Sequence, residues 1–139
     1  MSPQVVLRRP SALTVGARVL GCVAVAAARL LLAMTRGRPV RIRRILRALL
    51  AGVPPATPAA AEAAHAAVVT VSLRCASPHG CLPRSVAVAL LFRMRGARVR
   101  WVVGVSSPPP ASHAWVETTD GPVVEPDDPR ATFTPAITI

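Results

Sequence analysis

The hydrophobic pattern of this chain changes character once, at Gly96. Before it, apolar residues recur at helical spacing. After it come short Val-rich runs separated by turn residues. Helices followed by strands place a single domain in the α+β class, with the helices packed against an antiparallel sheet. At 139 residues the chain is about one domain and long enough to bury one core.

The punctuation is legible. A helix is expected from a cap at Ser11 or Thr14 to about Met34. Its apolar positions fall all round the wheel, so it is either well buried or lipid-facing. Gly37 and Pro39 break it. Val40 to Leu50 is amphipathic, with Ile42, Ile45, Leu46, Leu49 and Leu50 on one face and Arg41, Arg43, Arg44 and Arg47 on the others. Thr57-Pro58 reads as an N-cap and first helical proline, opening an Ala-rich helix towards Val71 or Arg74. Pro78-His79-Gly80 is a turn, and Leu82 to Arg95 is a helix stopped by Gly96.

Strands are expected over Ala97–Ser106, Ser112–Thr118 and Pro122–Glu125, the last two joined by an Asp120-Gly121 hairpin. Ser107-Pro108-Pro109-Pro110 reads as a rigid extended connection. Pro126 to Pro129 is a turn, and the tail has room for one more short strand. The division read from the pattern is a basic, apolar helical segment at 1–38 ahead of a domain at 39–139.

Charge is lopsided. All 17 basic residues are Arg, against 6 acids, and none of the acids precedes Glu62. Such a basic half suits an anionic partner: nucleic acid, a membrane surface or an acidic protein. GC-rich coding, with Arg replacing Lys among abundant Ala, Pro and Val, gives the same composition. Aromatics at 3% offer no base-stacking surface, so nucleic acid is not the expected partner. Three cysteines make a poor disulfide framework and fit a reducing, cytoplasmic compartment. The uncharged run Val19–Ala28, bracketed by Arg18 and Arg29, is shorter than the roughly 20 residues of a bilayer span. The chain reads as soluble, with peripheral membrane contact through this helix as the lesser alternative.

Chemistry concentrates around Cys81 and His113. Cys81 lies where the Pro83 helix begins. The unpaired N–H groups there favour a thiolate, and the preceding turn keeps the sulfur accessible. His113 is placed to take the thiol proton and return it to a leaving amine. The hairpin brings Glu125 and Asp127 back beside His113, so either carboxylate can orient the imidazole. Cys22 reads as packing, Cys75 as helix-end core, and His65 as a residue without a chemical role. Cys75, His79, Cys81 and His113 do not repeat at the spacing of a zinc site, so neither metal nor cofactor is expected.

The residues Leu73-Arg74-Cys75, Cys81-Leu82-Pro83-Arg84-Ser85, Gly104-Val105, His113-Ala114-Trp115-Val116-Glu117, Asp120-Gly121, Glu125-Pro126 and Asp128 occur in an order that resembles the lasso peptide biosynthesis B2 protein family. That family is a branch of the transglutaminase-like cysteine proteases. The resemblance covers roughly residues 40 to 139. It implies removal of the leader peptide from a ribosomally made precursor, after which a partner cyclase closes the core as a macrolactam. It also implies Cys81 as nucleophile, His113 as general base and Glu125 as orienting acid. Many relatives carry Asp at the third place; Asp127 is the alternate there and Asp120 a poorer one. Trp115 and Glu117 would shape the strand, and Arg84 would hold either structure or peptide. No winged-helix-like leader-recognition module is read in the Arg-rich N-terminal half, so the resemblance is to the split form, which needs a separate leader-binding protein. The basic half would then dock an acidic partner or leader segment. The competing reading is a non-catalytic basic helical module that binds an anionic protein, nucleic acid or membrane, with Cys81 and His113 merely structural.

Overall fold

The computed structural model describes residues 12–139; the Ser11 alternative for the first helix cap lies outside the described residues. Helices α1 (Val15–Thr35), α2 (Pro39–Leu50), α3 (Pro58–Val71), α4 (Leu73–Ala76) and α5 (Cys81–Met94) come first. Strands β1 (Arg100–Ser106), β2 (Ala111–Thr118), β3 (Gly121–Pro122) and β4 (Thr134–Thr138) follow, with a 3-10 turn at Pro129–Ala131. The strands form one antiparallel sheet in the order β3-β2-β1-β4. This is the α+β order expected from the change of pattern at Gly96.

Helix α5 is the centre of the molecule. Every residue from Ser85 to Phe92 is buried. A helix apolar on all sides needs partners on all sides. Helices α1 and α3 pack on it from one side and the sheet, chiefly β2, from the other. Trp101 and Val103 of β1, with their cross-strand partners Val116 and Ala114, turn towards it. The one polar residue in this stretch is satisfied: Ser85 Oγ accepts the Trp101 indole N–H at 3.0 Å and donates to the Leu82 carbonyl at 3.0 Å.

Helix α1 starts at Thr14, whose Oγ1 accepts the Ala17 N–H at 3.1 Å. Its buried stripe is Gly21, Ala24, Ala28, Leu31 and Thr35. The small residues let it close on α3: a Cβ added at Gly21 would already touch Val71 and the Ala67 carbonyl at 3.4 Å. Val15, Val19, Val23, Leu30 and Met34 face outward. So does Cys22, which corrects the expectation that it packs inside. A helix without a polar face does not announce which side is buried; contact with α3 and α5 decides it here. The whole helix, with Arg18 and Arg29 included, is long and apolar enough to cross a bilayer by length and composition, unlike the shorter uncharged run within it.

The Ala-rich helix ends at Val71, one of the two expected ends, where Ser72 adopts an extended conformation and its side chain caps α4. Two features differ from the pattern-based expectation. Regular pairing of β1 begins at Arg100, because Arg98 is engaged elsewhere: its N–H donates to Pro54 and its carbonyl accepts from Ala56. Ser107–Pro110 is a turn, because Ser106 pairs with Ala111 and the chain must reverse between them. In helix α2, Ile42, Leu46 and Leu50 are buried as expected, whereas Leu49 is exposed.

Candidate active site

The segment before Cys81 is held tightly. Gly80 is buried, and a Cβ there would collide with the Arg74 carbonyl, so only glycine fits at the residue preceding the thiol. Arg84, one turn into α5, donates to the Cys75 carbonyl at 2.8 Å and the Ser77 carbonyl at 3.2 Å. Its role is to clamp this loop. Cys81 is the first residue of α5, where helix N–H groups lack intrahelical partners and the dipole favours negative charge.

His113 enters from β2. Strand β3 is only two residues long, so the outer edge of β2 at Ala114 has no strand partner. Cys81 occupies that edge: its sulfur accepts the Ala114 backbone N–H and hydrogen-bonds the His113 side chain. On the other ring nitrogen, His113 Nε2 lies 2.9 Å from Glu125 Oε2. Nδ1 is therefore the nitrogen left for the thiol proton. The expected strand through Glu125 stops at Pro122, and Val124 turns back with φ of 52°. A β-branched residue in that region costs roughly 1–3 kcal/mol and persists only where its surroundings over-determine it. Here the kink aims Glu125 at the imidazole. The His113 and Glu125 side chains are 20% and 12% exposed, which shields the pair while leaving the ring reachable.

The fold thus brings Cys81, His113 and Glu125 together and leaves the alternates out. Asp127 is exposed. Asp120 sits in the exposed hairpin turn, where its N–H bonds Thr118 Oγ1. Asp128 caps the 3-10 turn and pairs with Arg130. Cys75 is buried, as expected, and His79 is exposed.

Two aromatic rings flank the imidazole. Trp115 stacks on it with centroids 5.8 Å apart, and Phe133 lies at 5.5 Å. Trp115 is fixed in turn by its indole N–H, which donates to the buried Glu117 carboxylate at 2.8 Å. Ring faces within about 6 Å stabilise a cation, so this slot suits an imidazolium. Gly104, opposite His113 in the ladder, makes the room: a Cβ there would stand 2.8 Å from both Trp115 and Phe133.

The electrostatics follow from these contacts. The Cys81 thiol is lowered below the ordinary thiol range, first by its hydrogen bond to His113, against burial, with help from the Ala114 N–H, the imidazole charge and Arg84. His113 is raised to about 9, first by Cys81 and then by Glu125, with burial opposing. Both shifts move the pair towards thiolate and imidazolium. Such a pair combines a nucleophile with a proton donor, the requirement of acyl transfer through a thioester. Pattern reading missed Phe133, Val124 and the Ala114 N–H. Phe133 left a faint signal, as one of 2 Phe in a chain poor in aromatics; the others left none, because a backbone angle and an edge donor are products of tertiary packing.

Comparison with known proteins adds one result. The family model described as the transglutaminase-like superfamily matches residues 10–138. No curated protein and no solved structure gives a significant match.

Proposed function

This chain belongs to the transglutaminase-like superfamily, and from that premise we propose that it is a cysteine peptidase that removes the leader from a ribosomally made lasso precursor. The observation that carries this reading is the continuous hydrogen-bonded line from Cys81 through His113 to Glu125, at the N-terminus of a buried helix. The leader-peptidase specificity rests on the resemblance of the residues around Cys81, His113 and Asp120-Gly121 to the lasso B2 family.

In the proposed reaction the Cys81 thiolate attacks the carbonyl carbon of the scissile peptide. The backbone N–H of Cys81, unpaired at the start of α5, faces the developing oxyanion. The C–N bond breaks as the His113 imidazolium gives its proton to the departing core amine. The leader carbonyl is left as a thioester on Cys81. Neutral His113 then takes a proton from water, the hydroxide attacks the thioester, and the leader leaves as a carboxylate while thiolate and imidazolium are restored. Glu125 holds the ring and stabilises its charged form throughout. The proposal includes a separate leader-binding protein, a macrolactam-forming cyclase that takes the freed core, and a reducing cytoplasm that keeps Cys81 a thiol.

Mass spectrometry of a cognate precursor, incubated with the purified protein and its leader-binding partner, tests the reading. Cys81→Ala should abolish cleavage, whereas Cys22→Ala and Cys75→Ala should retain most of it. Equal cleavage by all three variants would overturn the assignment.

A further inference from the structure

A second concave site lies at the opposite end of the sheet. His113 pairs with Gly104, and Glu117 with Arg100, four residues along the same ladder. At about 3.4 Å per residue that separates the two ends by roughly 13 Å. At the far end a groove of about 910 Å³ opens between α2, the connection into β1, the β2–β3 hairpin and the end of β4. Arg43, Arg47, Arg98, Arg100 and Arg130 line it. They come from three separate parts of the chain, so sequence composition alone did not place them together. Glu117 is the only acid in the lining, and it is already engaged by the Trp115 indole and by Arg100 at 3.8 Å. Arg130 pairs with Asp128. Arg43, Arg47 and Arg98 have no ion-pair partner among the described residues. Between the guanidinium groups the lining mixes apolar Leu50, Val99 and Ile139 with the hydroxyls of Thr118, Thr119 and Thr138.

We infer that this groove binds an acidic polypeptide segment, with carboxylates on the arginine forks and aliphatic side chains on the apolar lining. Three observations select that class. The groove has the volume of a ligand site at the upper end of the usual 300–1,000 Å³ range, enough for several residues. Guanidinium groups match carboxylates in bidentate geometry, and unpaired ones at the rim of a partly apolar groove gain from partial desolvation. The lining holds no aromatic ring on which a base could stack, and the Glu117 carboxylate would oppose a continuous phosphate chain. The inference goes beyond the peptidase reading and does not depend on it, because Cys81, His113 and Glu125 do not line the groove; Glu117, which holds Trp115, is shared between the two sites.

Fluorescence anisotropy with a labelled peptide of alternating Glu and Leu, about ten residues long, tests it on the full chain. A Gln–Leu peptide and a labelled oligothymidylate of equal charge serve as comparison probes. Arg47→Gln/Arg98→Gln should raise the Kd for the Glu–Leu peptide roughly tenfold, and so should Arg43→Gln/Arg100→Gln. Arg41→Gln/Arg44→Gln, on the exposed side of α2 outside the groove, should change it less than about twofold. Circular dichroism melts confirm that each variant is folded. Cys81→Ser should bind the peptide as the unmodified chain does. Equal weakening by groove and non-groove pairs would reduce the effect to net charge and overturn the inference. So would binding of oligothymidylate as tight as that of the Glu–Leu peptide, the absence of saturable binding, or binding lost with Cys81→Ser.

Discussion

Replacing His113 with alanine should slow alkylation of Cys81 by iodoacetamide about tenfold at pH 7. The magnitude follows from the contacts at the sulfur. The His113 hydrogen bond is the largest influence lowering the thiol, and the imidazole charge adds to it. With both gone, the Ala114 N–H and Arg84 still lower it while burial raises it, so the thiol returns towards its ordinary range. An ordinary cysteine near pKa 8.5 is only about 3% thiolate at pH 7, so lowering the thiol can gain at most some 30-fold in thiolate. A more basic thiolate is intrinsically more nucleophilic, with a Brønsted coefficient of about 0.4–0.5, which returns a few-fold. The balance is about tenfold. The assay is iodoacetamide labelling followed by peptide mass spectrometry, which reads all three cysteines separately. The profile against pH is as informative as the rate. The unmodified chain should ionise Cys81 below the ordinary thiol range and show a second rise near pH 9, where the imidazolium loses its proton. His113→Ala should show one rise in the ordinary thiol range. Labelling of Cys81 at an unchanged rate in His113→Ala, or a single ordinary titration in the unmodified chain, would refute the coupling of the two side chains.

Glu125→Gln keeps a hydrogen-bonding group but loses the charge facing Nε2. The kcat/KM for precursor cleavage should fall roughly 10- to 100-fold, and the upper step of the alkylation profile should move below its place near 9. Stability against pH has a definite sign. His113, raised to about 9, contributes stability that is complete below about 6.5 and lost as pH rises through 9; Cys81, shifted downward, contributes stability that is present above its ordinary pKa and lost as pH falls through its lowered value. Their slopes oppose one another between those limits; Cys81→Ala removes the thiol's slope and also the largest cause of the His113 shift, so the upper loss of stability should move to lower pH than its place near 9 in the unmodified chain, read as Tm against pH by circular dichroism. Gly104→Ala should destabilise by about 1–3 kcal/mol in urea melts, because its Cβ meets Trp115 and Phe133 at 2.8 Å. The same variant should slow cleavage by shifting the rings off His113. Ser85→Ala strands the Trp101 indole N–H in the core and should cost about 1–3 kcal/mol in urea melts.

Much of this architecture is written locally in the chain. Thr14 and Thr57 cap helices as their side chains suggest, and Gly96 ends α5. The Asp120-Gly121 hairpin returns the chain beside β2. Cys81 at the first turn of a proline-containing helix and His113 on a strand were legible because helix starts and strand runs are local features. Other features were decided at long range. Outward-facing Cys22 and inward-facing Ala24 differ only in which side of α1 meets α3 and α5. The choice of Glu125 over Asp127 rests on the left-handed turn at Val124, which no local propensity favours. The prolines at 108–110 carry an extended preference that the pairing of Ser106 with Ala111 overrides. Arg84 was readable as a helix residue, but its two carbonyl partners lie in a loop that only the fold brings near.

The central claim is that Cys81 forms a covalent acyl intermediate with the leader. A synthetic leader ending in a chloromethyl ketone lets the sulfur displace chloride and form a stable thioether, and tandem mass spectrometry locates the adduct. One leader adduct per chain on Cys81, absent in His113→Ala and absent from the more exposed Cys22, is the result expected. An adduct on Cys22 or Cys75, or efficient cleavage of the precursor by a chain whose Cys81 stays unmodified, would contradict it.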